Sequence, residues 1–322
     1  MRWLVGAALL FYATASGGPP AAAAPFPPGP VHVIVPYTPG GPVDIVARLI
    51  GQKLAEAWQQ PVVIDNRPGA GGNLGSELAA RARPDGTTLL VNTPALIIAP
   101  SVYKQLAFDP LKDFAPVIDV GRAPALLVIN PKLPFDSVGG LIAYAKAHPG
   151  ELNFGSPGTG GSLHLAGELF ASRAGIKMVH VPYKGVQPAL VDIMGGNIQM
   201  MFDAAVDVMP FVKDGRLKAL AISTAARSPL APDLPTVAES GLPGFDFSLW
   251  YGLFAPAATP AAVVQQINGD TARILAQPAM KAEMQAHGLD LMANSPDEFR
   301  AALTAEEKTW ADLVHKIGLT PN

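Results

Sequence analysis

Residues 31–44 have the sequence VHVIVPYTPGGPVD, an apolar run that ends in a glycine-rich turn. The run at 31–35 predicts a buried strand, and apolar residues at helical spacing through 43–58 predict a helix after the turn. Glycine lets backbone N–H groups approach a ligand closely, and the first N–H groups of a helix lack intrahelical partners. The segment therefore predicts an anion cradle built without lysine or arginine.

Two more glycine-rich turns follow, GAGGN at 69–73 and GSPGTGGS at 155–162. Each comes after a predicted strand and before a predicted helix, as the first turn does. One such turn alone could be only a tight connection, but three together make that reading weaker. Because two turns lie before residue 75 and the third far downstream, they predict a pocket assembled from two halves of the chain.

The order of predicted elements places the chain in the α/β class. Strands at 61–64 and 87–91 alternate with helices in the first part, which predicts a parallel sheet covered by helices. The alternation restarts at a strand over 125–129 and continues with strands at 152–154, 178–181, 198–202 and 217–222. A last strand at 247–254 returns toward the first unit, and the tail is helical after a capping box at 295–298.

The N-terminus has the pattern of an export signal. Arg2 is followed by an apolar stretch at 3–13 that is too short to span a bilayer, and small residues follow at 13–15 and 21–23. A permanent membrane anchor is the alternative, which the short apolar run disfavours. We expect cleavage near residue 24 and an exported, aqueous location. The absence of cysteine excludes a lipid-anchored lipoprotein and a disulfide framework.

The composition and the motifs exclude several classes of protein. A net charge of -3 with 15% charged residues is unlike a nucleic-acid binder. The third glycine turn lacks the lysine of a P-loop, and the second fails the spacing of a dinucleotide fingerprint. There is no Gly-x-Ser-x-Gly elbow, no cysteine nucleophile and no histidine pair with zinc-ligand spacing. The sequence therefore predicts no catalytic residues, no metal and no cofactor.

Three polar residues near the turns leave alternatives open. Asp44 could favour the positive end of a helix dipole or contact a ligand. His164 could be a packed first-turn residue or a ligand contact. Asp203 could cap a loop or form a pocket wall, and its place after a strand favours the pocket. The pair at 250–251 is expected in interdomain packing.

Seven ordered motifs resemble the signatures of the Bug-type receptors, the substrate-binding proteins of tripartite tricarboxylate transporters. The first three are VIVPYTPGGPVD at 33–44, DNRPGAGGN at 65–73 and PDGT at 84–87. The others are GSPGTG at 155–160, HLAGEL at 164–169, HVPYKG at 180–185 and LPTVAE at 234–239. The resemblance runs from about residue 30 to the C-terminus.

The resemblance implies a two-domain periplasmic binding protein of the type II flytrap kind, with two crossing strands. It implies a signal peptide at 1–24, a first domain from 25–123 and 249–322, and a second domain at 124–248. The ligand would be a small organic carboxylate held by backbone amides and water, and the partners would be membrane permease subunits. We expect a periplasmic monomer. The alternatives are the same fold serving a sensor and, from another class, a periplasmic hydrolase.

The resemblance also implies the ligand contacts. In the first domain they would be Tyr37, Gly40, Gly41, Pro42, Val43, Ala70, Gly71, Gly72, Asn73 and Thr93. In the second domain they would be Ser156, Thr159, Gly160, Gly161, Ser162, His164 and Asp203. Val43 departs from the small hydroxyl residue common in the family at that position. The loss of that hydroxyl favours a partly apolar or aromatic carboxylate over citrate.

Overall fold

The structure is a computed structural model that describes residues 26–319. The expected signal segment at 1–24 lies outside the described residues. Within the described range, no helix combines the length and the apolar character needed to cross a membrane.

The first part of the chain alternates strands and helices, as predicted. The strands β1 and β2 and the helix between them match the expected positions within two residues. The missed element is α3, whose apolar run has no helical stripe. The elements are β1 (Val31–Val35), α1 (Pro42–Trp58), β2 (Val62–Asn66), α2 (Asn73–Ala80), β3 (Thr88–Asn92) and α3 (Ala95–Val102).

The second part repeats the alternation and ends in helices. Its elements are β4 (Phe114–Ile129), α4 (Val138–Ala147), β5 (Asn153–Ser156), α5 (Ser162–Ala174), β6 (Val179–Pro182), α6 (Val186–Gly195), β7 (Met200–Ala204), α7 (Ala205–Lys213) and β8 (Lys218–Ile222). They are followed by β9 (Ser248–Pro256), α8 (Ala261–Leu275), α9 (Pro278–Ala286), β10 (Asp290–Leu291) and α10 (Pro296–Ile317). The predicted capping box is confirmed, since the Ser295 hydroxyl accepts from the Glu298 N–H.

Two long strands, β4 and β9, link the two halves. The main strand order is β2-β1-β3-β9-β4-β7-β5-β6, with β1, β2 and β3 parallel to one another and β5 parallel to β6 and β7. Residues 114–124 of β4 pair antiparallel with β9, and residues 125–129 pair with β7 and β8. The change of partner is one residue from the expected boundary at 123/124. The domain boundaries stay a prediction, which this pairing supports.

The sequence predicted only the second half of β4. Pro116 and Gly121 interrupt the first half, and the pairing with β9 shifts register on either side of Asp119. Such residues weaken a strand pattern because proline cannot donate to the ladder and glycine often marks a bulge. Residues 114–129 nevertheless form one continuous strand, buried along nearly its whole length.

Trp250 and Tyr251 have different environments on β9, because successive strand residues face opposite sides. Trp250 is buried against Phe299 of α10, and its indole N–H donates to Glu306 at 2.9 Å. Tyr251 instead lines a cavity. The two residues therefore do not share the packing role expected for them, since only Trp250 is packed against α10 and Tyr251 lines the cavity.

Candidate functional site

A cavity of about 440 Å³ opens between the first and third glycine turns, with the second turn at its edge. Residues from the first half of the chain, from the second half and from β9 share its wall. Its lining is Tyr37, Pro42, Val43, Gly71, Thr93, Ala95, Val102, Tyr103, Pro157, Gly158, Thr159, Gly160, Gly161, Ser162, Leu163, Leu249 and Tyr251. The volume lies within the range of small-molecule sites.

The first turn is held in place by the carboxylate of Asp44. Its oxygens accept from the Gly40 N–H at 2.9 Å, from Arg48 Nε at 2.8 Å and from Asn66 Nδ2 at 2.9 Å. Burial acts to raise the pKa of Asp44, but these donors outweigh it and hold the pKa below its usual value. Asp44 is buried and does not line the cavity, so its contacts describe a positioning residue for the turn.

The second turn has a backbone that only glycine adopts easily. Gly69, Gly71 and Gly72 have φ of 143°, 67° and 99°. A Cβ on Gly71 would also collide with the hydroxyl of Tyr103, which approaches the turn closely. The backbone of Gly71 and the side chain of Tyr103 therefore lie together at one edge of the cavity.

A buried hydrogen-bond chain fixes the second turn to β3. The Ser76 hydroxyl donates to the Gly72 carbonyl at 2.8 Å, and Asn92 Nδ2 donates to Ser76 Oγ at 2.9 Å. The Tyr37 hydroxyl donates to Asn92 Oδ1 at 3.2 Å and lies 3.0 Å from Thr93 Oγ1. Burial raises the pKa of Tyr37 to about 12, so this hydroxyl stays protonated at neutral pH.

The third turn is supported from behind by two histidines. The Gly160 N–H donates to His164 Nδ1 at 3.0 Å, and the His164 ring stacks on His180 with centroids 3.8 Å apart. The Ser156 hydroxyl lies 2.7 Å from His180 Nε2. Burial, with a smaller contribution from His164, lowers the pKa of His180 to about 4. Ser156, His164 and His180 position the turn and do not line the cavity.

Asp203 is fully buried at the end of β7. Its Oδ1 accepts from the Ala204 N–H at 2.9 Å, while Oδ2 has no hydrogen-bond partner among the described residues. Burial, and then the nearby Asp207, raise the pKa of Asp203 to about 8. The carboxyl group is therefore neutral at pH 7. Asp203 does not line the cavity.

The structure divides the predicted site residues into two sets. The residues on the cavity wall are Tyr37, Pro42, Val43, Gly71, Thr93, Thr159, Gly160, Gly161 and Ser162. The residues that do not line the cavity are Gly40, Gly41, Ala70, Gly72, Asn73, Ser156, His164 and Asp203. A role in ligand binding stays a prediction for both sets.

Sequence reasoning missed eight residues of the wall. They are Ala95, Val102, Tyr103, Pro157, Gly158, Leu163, Leu249 and Tyr251. Leu249 and Tyr251 flank the buried Trp250 with strand alternation, which is a signal that the sequence contains. Ala95, Val102 and Tyr103 come from α3 and the residue after it, and no periodicity marked that helix.

The electrostatic character of the cavity comes from backbone groups. None of the residues that line it within 26–319 is a lysine, arginine or histidine. The helix α5 begins at Ser162 with no acidic residue in its first turn, whereas α1 has Asp44 in that position. The positive end of the α5 dipole is therefore available to an anion. Within the described residues, no group of three or more acidic, histidine or cysteine side chains is placed to hold a metal.

The model of the family described as "Tripartite tricarboxylate transporter family receptor" matches residues 46–319. The chain belongs to this receptor family. Protein BugT of Bordetella pertussis is 37% identical over 311 residues, which cover 96% of this chain and 95% of the relative. The resemblance to Bug-type receptors is thus confirmed.

Solved structures in this receptor family have the same fold. The structure described as R. palustris Rpa4515 with adipate is 35% identical, with a TM-score of 0.80, and the match covers 92% of this chain and 100% of the other. MatC from Rhodopseudomonas palustris with bound malate is 34% identical, with a TM-score of 0.76 and coverage of 90% and 100%. These neighbours confirm the two-domain α/β binding-protein fold. The family is one of solute receptors rather than of enzymes.

Proposed function

We propose that this protein captures a small organic carboxylate in the cavity between the glycine turns and delivers it to a tripartite carrier. The observation that carries the proposal is the α5 N-terminus, which opens into a cavity of about 440 Å³ without any acidic residue in its first turn. Adipate and malate bound to two relatives of the same fold support this ligand class.

The donors at the cavity are sufficient for useful affinity. A hydrogen bond to a charged partner contributes about 1.5–3 kcal/mol. Micromolar binding needs about 8 kcal/mol, so four or five such bonds would cover it after the costs of association and closure. The start of α5 supplies backbone N–H groups for these bonds, whereas the Gly160 and Gly158 N–H groups of the preceding turn donate to His164 and Ser156.

Ligand binding would favour a closed arrangement of the two halves. Val43 and Ser162 lie on opposite halves of the chain and on the same cavity wall. A ligand that contacts both is bound fully only when the halves are close, so it shifts the population toward that state. Membrane permease subunits could then distinguish a loaded receptor from an empty one by shape.

We assign the protein to the periplasm, as a monomer that performs no catalysis and whose signal peptide ends near residue 24. The domains would be 25–123 with 249–322, and 124–248, because β4 changes partner next to that boundary.

A thermal-shift panel tests the proposal. Residues 25–322 are mixed with mono-, di- and tricarboxylates, with sugars and with amines. A carboxylate that binds the folded state raises the melting temperature by linkage, whereas the sugars and amines leave it unchanged. A panel in which only amines or sugars raise the melting temperature would refute the carboxylate assignment.

A further inference from the structure

We propose that the cavity selects a monocarboxylate with an apolar body, aromatic or aliphatic, over a dicarboxylate of the same length. This inference rests on the proposed function and narrows the ligand class of the same site. It separates this protein from its relatives with bound adipate and malate, which are both dicarboxylates.

The side chains of the wall are chiefly apolar. Val43, Val102, Leu163 and Leu249 line the cavity with Ala95, and no lysine, arginine or histidine lines it within the described residues. A carboxylate placed against such side chains loses its water without gaining a partner, which is costly. An apolar ligand body gains instead from the area that it buries.

Helices α1, α3 and α5 begin at the cavity, and only α5 has an N-terminus that is open to a carboxylate. Helix α3 follows Pro94, which has no N–H, and its Leu96 and Ile97 N–H groups already donate to the carbonyls of Thr93 and Pro94. Helix α1 begins with Pro42, which has no N–H, and Asp44 places a carboxylate in its first turn. Helix α5 begins with Ser162 and has no acidic residue in its first turn. The Ser162 side chain faces the cavity and is 9% exposed, and its hydroxyl has no hydrogen-bond partner among the described residues. One carboxylate thus has the N–H groups of α5 and the Ser162 hydroxyl, whereas a second finds neither a cation nor another open helix N-terminus among the described residues of the wall.

The surroundings of Tyr251 disfavour a second anion as well. Its phenol lines the cavity, and burial together with the nearby Asp207 raises its pKa. Among the described residues, no lysine, arginine or histidine lines the wall near Tyr251 to balance a second negative charge. The hydroxyls of Tyr103 and Tyr251 have no hydrogen-bond partner within residues 26–319. They can therefore form hydrogen bonds with a neutral hydroxyl or carbonyl group of the ligand.

Isothermal titration of residues 25–322 with matched pairs tests the inference. The pairs are hexanoate with adipate and benzoate with terephthalate, at about pH 7.5. We expect at least one monocarboxylate to bind about tenfold or more tightly than its dicarboxylate partner, because the second charge meets neither a cation nor an open helix N-terminus. Competition between the two members of a pair establishes that they share one site.

The variant Val43→Thr adds a hydroxyl to the wall with little change of volume. We expect Val43→Thr to weaken monocarboxylate binding about threefold and so to reduce the preference for the monocarboxylate over its dicarboxylate partner. The control Val179→Thr, on the exposed face of β6, should leave the affinities for both ligands unchanged. Dicarboxylates that bind as tightly as their partners in both pairs overturn the inference and leave the proposed function standing. Absence of binding by every carboxylate overturns the proposed function itself. An unchanged preference in Val43→Thr overturns the role assigned to Val43.

Discussion

Gly160, in the turn before α5, packs against Val102 at the end of α3. A Cβ placed on Gly160 would lie 3.4 Å from the Val102 Cβ, and Gly160 has a φ of 79°. The two residues belong to different halves of the chain and both line the cavity. A side chain at residue 160 would therefore touch Val102 and would hold a left-handed backbone conformation that glycine adopts without strain.

Gly160→Ala should weaken ligand binding about tenfold and lower the free energy of unfolding by about 1–2 kcal/mol, the cost of a left-handed non-glycine residue. The matched control is Gly150→Ala, because Gly150 has a φ of 82° and open space around its Cβ position. Calorimetric unfolding and titration of both variants check this. Equal loss of affinity in the two variants would show that general strain, and not the contact with Val102, weakens binding.

Asp44→Ala should reduce ligand affinity about tenfold and destabilise the protein by about 1–3 kcal/mol. The substitution leaves the Gly40 N–H without its acceptor and removes one of the two acceptors of the Asn66 amide, which keeps the Tyr37 carbonyl. Arg48→Ala is the control, since the Arg48 side chain is 53% exposed and an exposed partner contributes little. Asp44 would be assigned a minor role if its replacement affected binding no more than the replacement of Arg48 does.

Asp203→Asn should reduce the loss of stability that occurs as pH rises from about 4 to about 8. The folded state keeps the Asp203 proton up to about pH 8, whereas an unfolded aspartate releases it near its ordinary value of 3.8. The unfolded state therefore binds fewer protons in this range, and the stability contributed by Asp203 falls as pH rises. The asparagine variant should be more stable than the original by about 1–2 kcal/mol at about pH 9.

Denaturant unfolding across pH 5–9 measures this difference, with the exposed Asp312→Asn as the control. Burial likewise raises the pKa of Asp119 to about 6 and that of Glu306 to about 7. Part of the decrease in the free energy of unfolding with rising pH therefore remains in the Asp203→Asn variant. A curve for Asp203→Asn that runs parallel to the original at every pH would contradict the buried neutral carboxyl.

His180 should titrate with a midpoint of about 4, because burial and the adjacent His164 oppose its charged form. Unfolded histidine binds its proton near its ordinary value of 6.5, so the stability contributed by neutral His180 is lost as pH falls below that value. Imidazole NMR signals recorded against pH, assigned with His180→Gln, check the midpoint. An ordinary midpoint near 6.5 would mean that His180 is not packed as described.

The glycine turns and the strands and helices beside them follow directly from the sequence. Local patterns predict the strand at 31–35, the turn at 40–41 and the helix from Pro42, and each element forms where its pattern lies. The capping box at Ser295 is local in the same sense, since its two partners are three residues apart. Such features can be predicted because few distant contacts compete with them.

The remaining features depend on contacts that a single sequence does not contain. Tyr103 meets the second glycine turn through the packing of α3, and Tyr251 reaches the cavity because β9 returns between β3 and β4. Asp203 lies just behind the wall, since the end of β7 is buried under α7 and not open to the cavity. These placements are long-range consequences of the sheet order.

The most direct test of the central claim is isothermal titration of small carboxylates into residues 25–322 and into Gly160→Asp. We expect at least one carboxylate to bind in a one-to-one complex with a dissociation constant of about 1 μM. We also expect the aspartate to abolish this binding by placing an anion at the start of α5, in a variant shown to be folded by circular dichroism. Binding of equal strength to both proteins, or no binding of any carboxylate to the original, would contradict the account.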